Sequence, residues 1–129
     1  MGKRKRYPKI DVEEFKNNIT KERAYFLGFL WADGSIVRTS VSIEINSRDM
    51  EELRDIFFHT CEWGEYQRCR PNRQKQSTIS RSDKLFNVYL RHYDYHIKSN
   101  TSPYKILNDL SEENKKYFIR GWIEGEGNY

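Results

Sequence analysis

Hydrophobic and polar positions divide this chain into segments of different period. From Ala24 to Ala32 every residue is apolar or small, so a helix here is apolar nearly all round and belongs at the centre of a core. Thr20 or Asn18 is placed to cap it. After Gly34 the period falls to two: Val41, Ile43 and Ile45 alternate with Ser40, Ser42, Glu44 and Asn46, which predicts a half-buried strand paired in a hairpin with Ser35 to Arg38. Ser47 then opens a helix with Asp49, Glu51 and Glu52 in its first turn and Met50, Leu53, Ile56 and Phe57 on one face. Trp63 to Arg70 reads as a strand with Tyr66, Arg68 and Arg70 on one face. A polar turn from Pro71 to Gln76 leads to a return strand, Ser77 to Arg81, with Ile79 inward and Thr78 and Ser80 on the other side. Ser82 is expected to cap a helix through Leu90 whose buried stripe is Leu85, Phe86, Tyr89 and Leu90. A loop is expected from Arg91 to Asn108. Ser111 then caps a second long helix, with Glu112 and Glu113 in its first turn. Residues 1–17 carry no strong period and read as an arm with a short lead-in around Val12 and Phe15.

The second long helix echoes the first. Gly28, Ala32, Asp33 and Gly34 map onto Gly121, Gly125, Glu126 and Gly127 at one constant offset of 93 residues. Residues four apart share a helix face, so Gly28 with Ala32, and Gly121 with Gly125, form two flat strips along which backbones approach closely. Packed in parallel, the two helices bring Asp33 and Glu126 side by side at their C-terminal ends, and the glycine after each acid suits a left-handed helix cap. Two carboxylates held close in a basic chain point to metal ions clamped against phosphates.

These two stretches, Phe26-Leu27-Gly28-Phe29-Leu30-Trp31-Ala32-Asp33-Gly34 and Ile119-Arg120-Gly121-Trp122-Ile123-Glu124-Gly125-Glu126-Gly127, resemble the paired motifs of the LAGLIDADG homing endonucleases. The resemblance implies an α+β fold, the αββαββα LAGLIDADG unit, with a saddle-shaped antiparallel sheet and helices on one face. It also implies three parts: a basic arm and lead-in over 1–17, the endonuclease-like domain over 18–110, and a second motif helix over 111–129 that begins a second domain. With two motif helices but one sheet, the chain is expected to be the N-terminal part of a two-domain enzyme, inactive without a complementary C-terminal chain or a homodimer partner, or else a truncated or degenerate remnant of one.

Composition agrees with a nucleic-acid partner. The chain has 129 residues with net charge +4, a pI near 9.0 and mean hydropathy −0.96. That length suits one core. No apolar run approaches a membrane span and no signal core follows the first residues, so a soluble intracellular protein is expected. From Asp11 to Glu62 acids outnumber bases eleven to six, whereas Lys3, Arg4, Lys5, Arg6 and Lys9 crowd one end and Arg68, Arg70, Arg73, Lys75, Arg81 and Lys84 face only Asp83. Such clustering fits a nucleic-acid surface, although the first cluster reads equally as a solvated arm. Cys61 and Cys69 have neither disulfide-framework nor zinc-pair spacing. His92 and His96, four apart in a tyrosine-rich segment, lack a finger-like ligand pattern with His59 or the cysteines.

The resemblance carries the metal-binding acids onto Asp33 and Glu126, with Mg²⁺ or another divalent cation expected. Glutamate stands where the family usually has aspartate. Lys98 resembles the basic residue placed near the cleavage centre. The sheet would lie in the major groove of double-stranded DNA, with Arg38, Ser40, Ser42, Glu44 and Asn46 on one hairpin and Tyr66, Arg68, Arg70, Thr78 and Ser80 on the other reading bases, and Asn72, Arg73 and Lys75 reaching the backbone. A site-specific, metal-dependent endonuclease is therefore expected. The alternatives are a non-cleaving DNA- or RNA-binding module on the same scaffold and an unrelated small αβ protein in which the glycine–acid pairs are only caps.

Overall fold

The computed structural model describes residues 11–46, 64–68 and 76–126. Helix α1 spans Val12–Asn17 and α2 Lys21–Asp33; strands β1 Gly34–Val37, β2 Ser40–Asn46, β3 Gly64–Arg68 and β4 Gln76–Ser82 follow. Then come α3 Lys84–His92, a 3₁₀ turn Tyr95–Ile97, α4 Tyr104–Asp109 and α5 Glu112–Gly125. The molecule is α+β. The helix expected after Ser47, the hairpin tip with Arg70, Asn72, Arg73 and Lys75, the N-terminal basic cluster, Cys61, Cys69, His59 and Gly127 lie outside the described residues.

Two hairpins make one antiparallel sheet in the order β1-β2-β4-β3. Ile43 pairs with Ile79 in its centre. Val41 and Ile43 are buried beneath α2 and α3, which both contact β2.

Helix α2 forms where the apolar run predicts. Thr20 Oγ1 accepts from Arg23 N at 3.2 Å, and every residue from Ala24 to Trp31 is buried. Because α2 is flanked by the sheet on one side and α5 on another, its apolar surface has no need of a polar face. The lead-in is part of the core rather than an arm's end: Asp11 caps α1, and the fully buried Phe15 meets Phe86 edge-on at 5.4 Å under the Arg23 guanidinium.

Three local expectations are corrected. Asp83, not Ser82, caps α3, its Oδ1 accepting from Phe86 N at 3.0 Å, since a carboxylate satisfies the free amides of a first turn at least as well as a hydroxyl. Leu85 is 68% exposed, one position off the buried stripe of Phe86, Tyr89 and Leu90. The expected loop from Arg91 to Asn108 contains both the 3₁₀ turn and α4, which the buried Tyr95 and Ile106 anchor to the core.

Candidate functional site at the paired helix ends

Helices α2 and α5 pack backbone against backbone. A Cβ added at Gly28 would collide with the Phe118 carbonyl and lie 2.9 Å from Trp122 N; one added at Gly121 would collide with the Tyr25 carbonyl and lie 3.0 Å from Phe29 N. At the far end a Cβ on Gly125 would stand 2.7 Å from Ala32 Cβ. Contacts rise together along both helices, so the two run parallel. They are also reciprocal. The offset of 93 that relates Gly28 to Gly121 also turns Phe118 into Tyr25 and Trp122 into Phe29, so each contact has its image across a local two-fold. A side contact obeys the same relation: the Tyr25 hydroxyl donates to Glu124, and the image pair, Phe118 and Trp31, meets ring to ring at 5.9 Å.

Parallel packing brings both C-terminal ends together. Asp33 is the last residue of α2, and Glu126 caps α5 with helical φ −74° and ψ −8°; both are exposed. Each helix end adds about half a negative charge to its acid. Lys98 answers this concentration of negative charge. Its Nζ donates to the Trp31 carbonyl at 2.8 Å; burial holds its pKa below the ordinary lysine value, and the charges of Asp33 and Glu126 pull it back up. One lysine thus senses both acids.

The segment after α3 fixes that end of α2. Tyr95, buried, donates its hydroxyl to the Leu30 carbonyl at 2.9 Å, and Trp31 stands edge-on to its ring at 4.9 Å. Gly34 departs from expectation. Its φ of −85° and ψ of 171° are extended, not left-handed. Glycine suits this position because a Cβ would lie 2.6 Å from the Tyr95 hydroxyl and 2.7 Å from the Leu30 carbonyl.

On the sheet, register aligns the groove-reading candidates in rows. Ser42 pairs with Ser80 and Glu44 with Thr78, and Thr78 pairs in turn with Tyr66. Asn46 and Arg68 both pair with Gln76. Ser40 and Ser42 are half-buried, and Ser42 Oγ lies 3.3 Å from Ser35 Oγ across the hairpin. Arg38 is not a strand position. It occupies the β1–β2 turn at φ 57°, because a two-residue hairpin loop requires positive φ that neither flanking strand supplies.

Among the described residues no group of three or more His, Cys, Asp or Glu is placed to hold a metal ion, which includes His92 and His96; His92 instead stacks edge-on against Tyr93 at 5.0 Å. Sequence reasoning missed Tyr95 and the Tyr25–Glu124 bond. Their partners are 65 and 99 residues away, and a tyrosine in a run of aromatics carries no mark of its hydrogen-bond acceptor. No helix among the described residues is long and apolar enough to cross a membrane. No family model matches the chain, and no curated protein or solved structure matches it either.

Proposed function

We propose that the chain is the DNA-reading and cutting unit of a site-specific, metal-dependent endonuclease of the LAGLIDADG type. The observation that supports this most is the reciprocal glycine packing of α2 against α5, which brings two acids and a half-buried lysine to one end of a parallel helix pair. Close backbone packing fixes the helix ends more firmly than side-chain packing does, and phosphodiester chemistry depends on such fixed placement.

The donor set fits a hard divalent cation such as Mg²⁺, which takes one or two carboxylates and leaves its other places to phosphate oxygens and water. Asp33 and Glu126 would hold it, helped by the negative ends of both helices. When bound, such an ion supplies charge neutralisation and a more acidic water. Lys98 offers the compensating positive charge beside the phosphate, and its bond to the Trp31 carbonyl keeps the ammonium at the helix end. Register aligns the strand positions Ser40, Ser42, Glu44, Asn46, Tyr66, Thr78 and Ser80, whose residue types suit base edges in the major groove.

A non-cleaving DNA- or RNA-binding module on the same scaffold is the second reading. It is favoured by Glu126, which stands where the family usually has aspartate and whose longer arm moves its oxygens. One substitution separates the two. Asp33→Asn should lower Mg²⁺-dependent cleavage of a selected duplex about a hundredfold or more while leaving duplex affinity within about threefold. Cleavage unchanged in that variant would remove Asp33 from the chemistry, and binding without cutting even when a second copy or a complementary chain covers the free face of α5 would establish the module.

The partner reading rests on the same two-fold. Ile119 and Ile123 correspond at the constant offset to Phe26 and Leu30, which are fully buried, yet on α5 they are 42% and 48% exposed. The face of α5 equivalent to the one that α2 buries in its core is therefore apolar and uncovered among the described residues. A complementary αβ unit, on a second copy or another chain, would cover it as the sheet covers α2.

A further inference from the structure

We propose that Tyr95 is a positioning residue that sets the place of the Lys98 ammonium at the paired acids. The inference rests on the nuclease reading for its consequence and on geometry for its content. The Tyr95 ring is held at its hydroxyl end and on one flank by the last turn of α2. Its hydroxyl donates to the Leu30 carbonyl at 2.9 Å, an oxygen that also accepts the Gly34 amide. The backbone of Gly34 comes so close to that hydroxyl that no side chain fits between them. Trp31 closes one flank at 4.9 Å. Against this fixed ring lies the Lys98 ammonium, 5.4 Å from the centroid, a distance at which the ring's negative face attracts a cation.

The carbonyl of Trp31 completes the arrangement. A lysine has a long flexible stem, and a single hydrogen bond leaves it free to swing. Two supports, one carbonyl at 2.8 Å and one ring face, restrict the ammonium to a small volume at the C-terminal end of α2. Both supports lie on or against the last turn of α2, so the ammonium is registered to the helix end that carries the acid. Tyr95 itself touches no reacting atom in this arrangement. It acts through Lys98.

The test uses the full chain with Tyr95→Phe and Tyr95→Leu. In proton NMR the ε-methylene of Lys98 should lie upfield of the ordinary lysine position in the wild type, because it sits over a ring. It should remain there in Tyr95→Phe and return to the ordinary position in Tyr95→Leu. In Mg²⁺-dependent cleavage of a selected duplex, Tyr95→Leu should lose at least about tenfold in kcat with duplex Kd within about twofold, and Tyr95→Phe should stay within about threefold of wild type. An ordinary Lys98 shift in the wild type overturns the proposal, and that spectrum with the Tyr95→Phe one decides the matter even where Tyr95→Leu fails to fold. Equal loss of kcat and affinity in Tyr95→Leu also overturns it, since general damage would then be the cause. A wild type that shows the upfield signal but does not cut supports the placement of Lys98 while overturning cleavage by this chain on its own.

Discussion

A single methyl group added at Gly28 or Gly121 would enter the backbone of the opposite helix, where no rotamer change relieves the clash. The helix pair must then separate along its length. Gly28→Ala and Gly121→Ala are each expected to cost about 3 kcal/mol or more, despite the roughly 1 kcal/mol that alanine contributes to helix propensity. Gly125 is different. The nearest atom an added Cβ would meet there is the Ala32 methyl, at 2.7 Å and near the helix ends, and Gly125→Ala should cost only about 1–2 kcal/mol. Urea unfolding of the three variants checks the order, and equal costs at Gly28 and Gly125 would show that the close approach does not hold the helices together. These glycines were legible in the sequence because four-residue spacing maps directly onto one helix face. Gly34 was legible as a helix end but not for the reason it is glycine, since the hydroxyl it abuts comes from Tyr95, far along the chain. Arg38 was read as a strand residue because nothing in its neighbours announces positive φ; the turn usually carries glycine or asparagine there.

At the scale of elements, α3 and α4 are tied by tyrosines. The Tyr93 hydroxyl donates to Asp109 at 2.6 Å, and Tyr89 stands edge-on to Tyr93 at 5.3 Å. Burial pushes the Tyr89 phenol up to about 12, with Asp109 adding to the shift; burial and the bond to Asp109 raise Tyr93 as well. A phenol whose folded pKa lies above its unfolded value of 10.0 contributes stability that is fully present below pH 10 and is lost as pH rises through the folded value. The chain should therefore unfold cooperatively in alkali between about pH 10 and 12, with the 295 nm phenolate absorbance rising together with the loss of helical ellipticity. Asp109→Asn removes the carboxylate that opposes ionisation, so part of that absorbance should appear at lower pH. Independent titration of all phenols near pH 10 in a still folded chain would contradict these environments. Helix α4 escaped the sequence reading for a related reason. Only Ile106 of its six residues is buried, too little for a period, and its anchoring comes from a tyrosine on another element.

For the whole molecule, the two-fold relating α2 to α5 extends beyond their glycines to the faces they turn away from each other. On α2 that face is closed by the sheet; on α5 it carries Ile119 and Ile123. The repeat was legible because it lies in local spacing, whereas the uncovered face emerged only when burial could be compared position by position across the offset. Each isoleucine has about half its surface left to bury, worth about 1 kcal/mol apiece on closing. Ile119→Lys with Ile123→Lys should leave the thermal midpoint of the isolated chain nearly unchanged, as surface substitutions do. The same pair should weaken docking on this face by about tenfold to a hundredfold, since it removes apolar area and places two charges in the contact. Sedimentation equilibrium of wild-type and double-lysine chains reads the difference directly when the occupant is a second copy. Self-association that survives both lysines would mean that copies meet elsewhere. A wild-type chain that remains monomeric over the same range would leave the face to a complementary chain. A double variant that unfolds would show instead that Ile119 and Ile123 belong to this molecule's own core, and the two-fold would then stop at the helix pair.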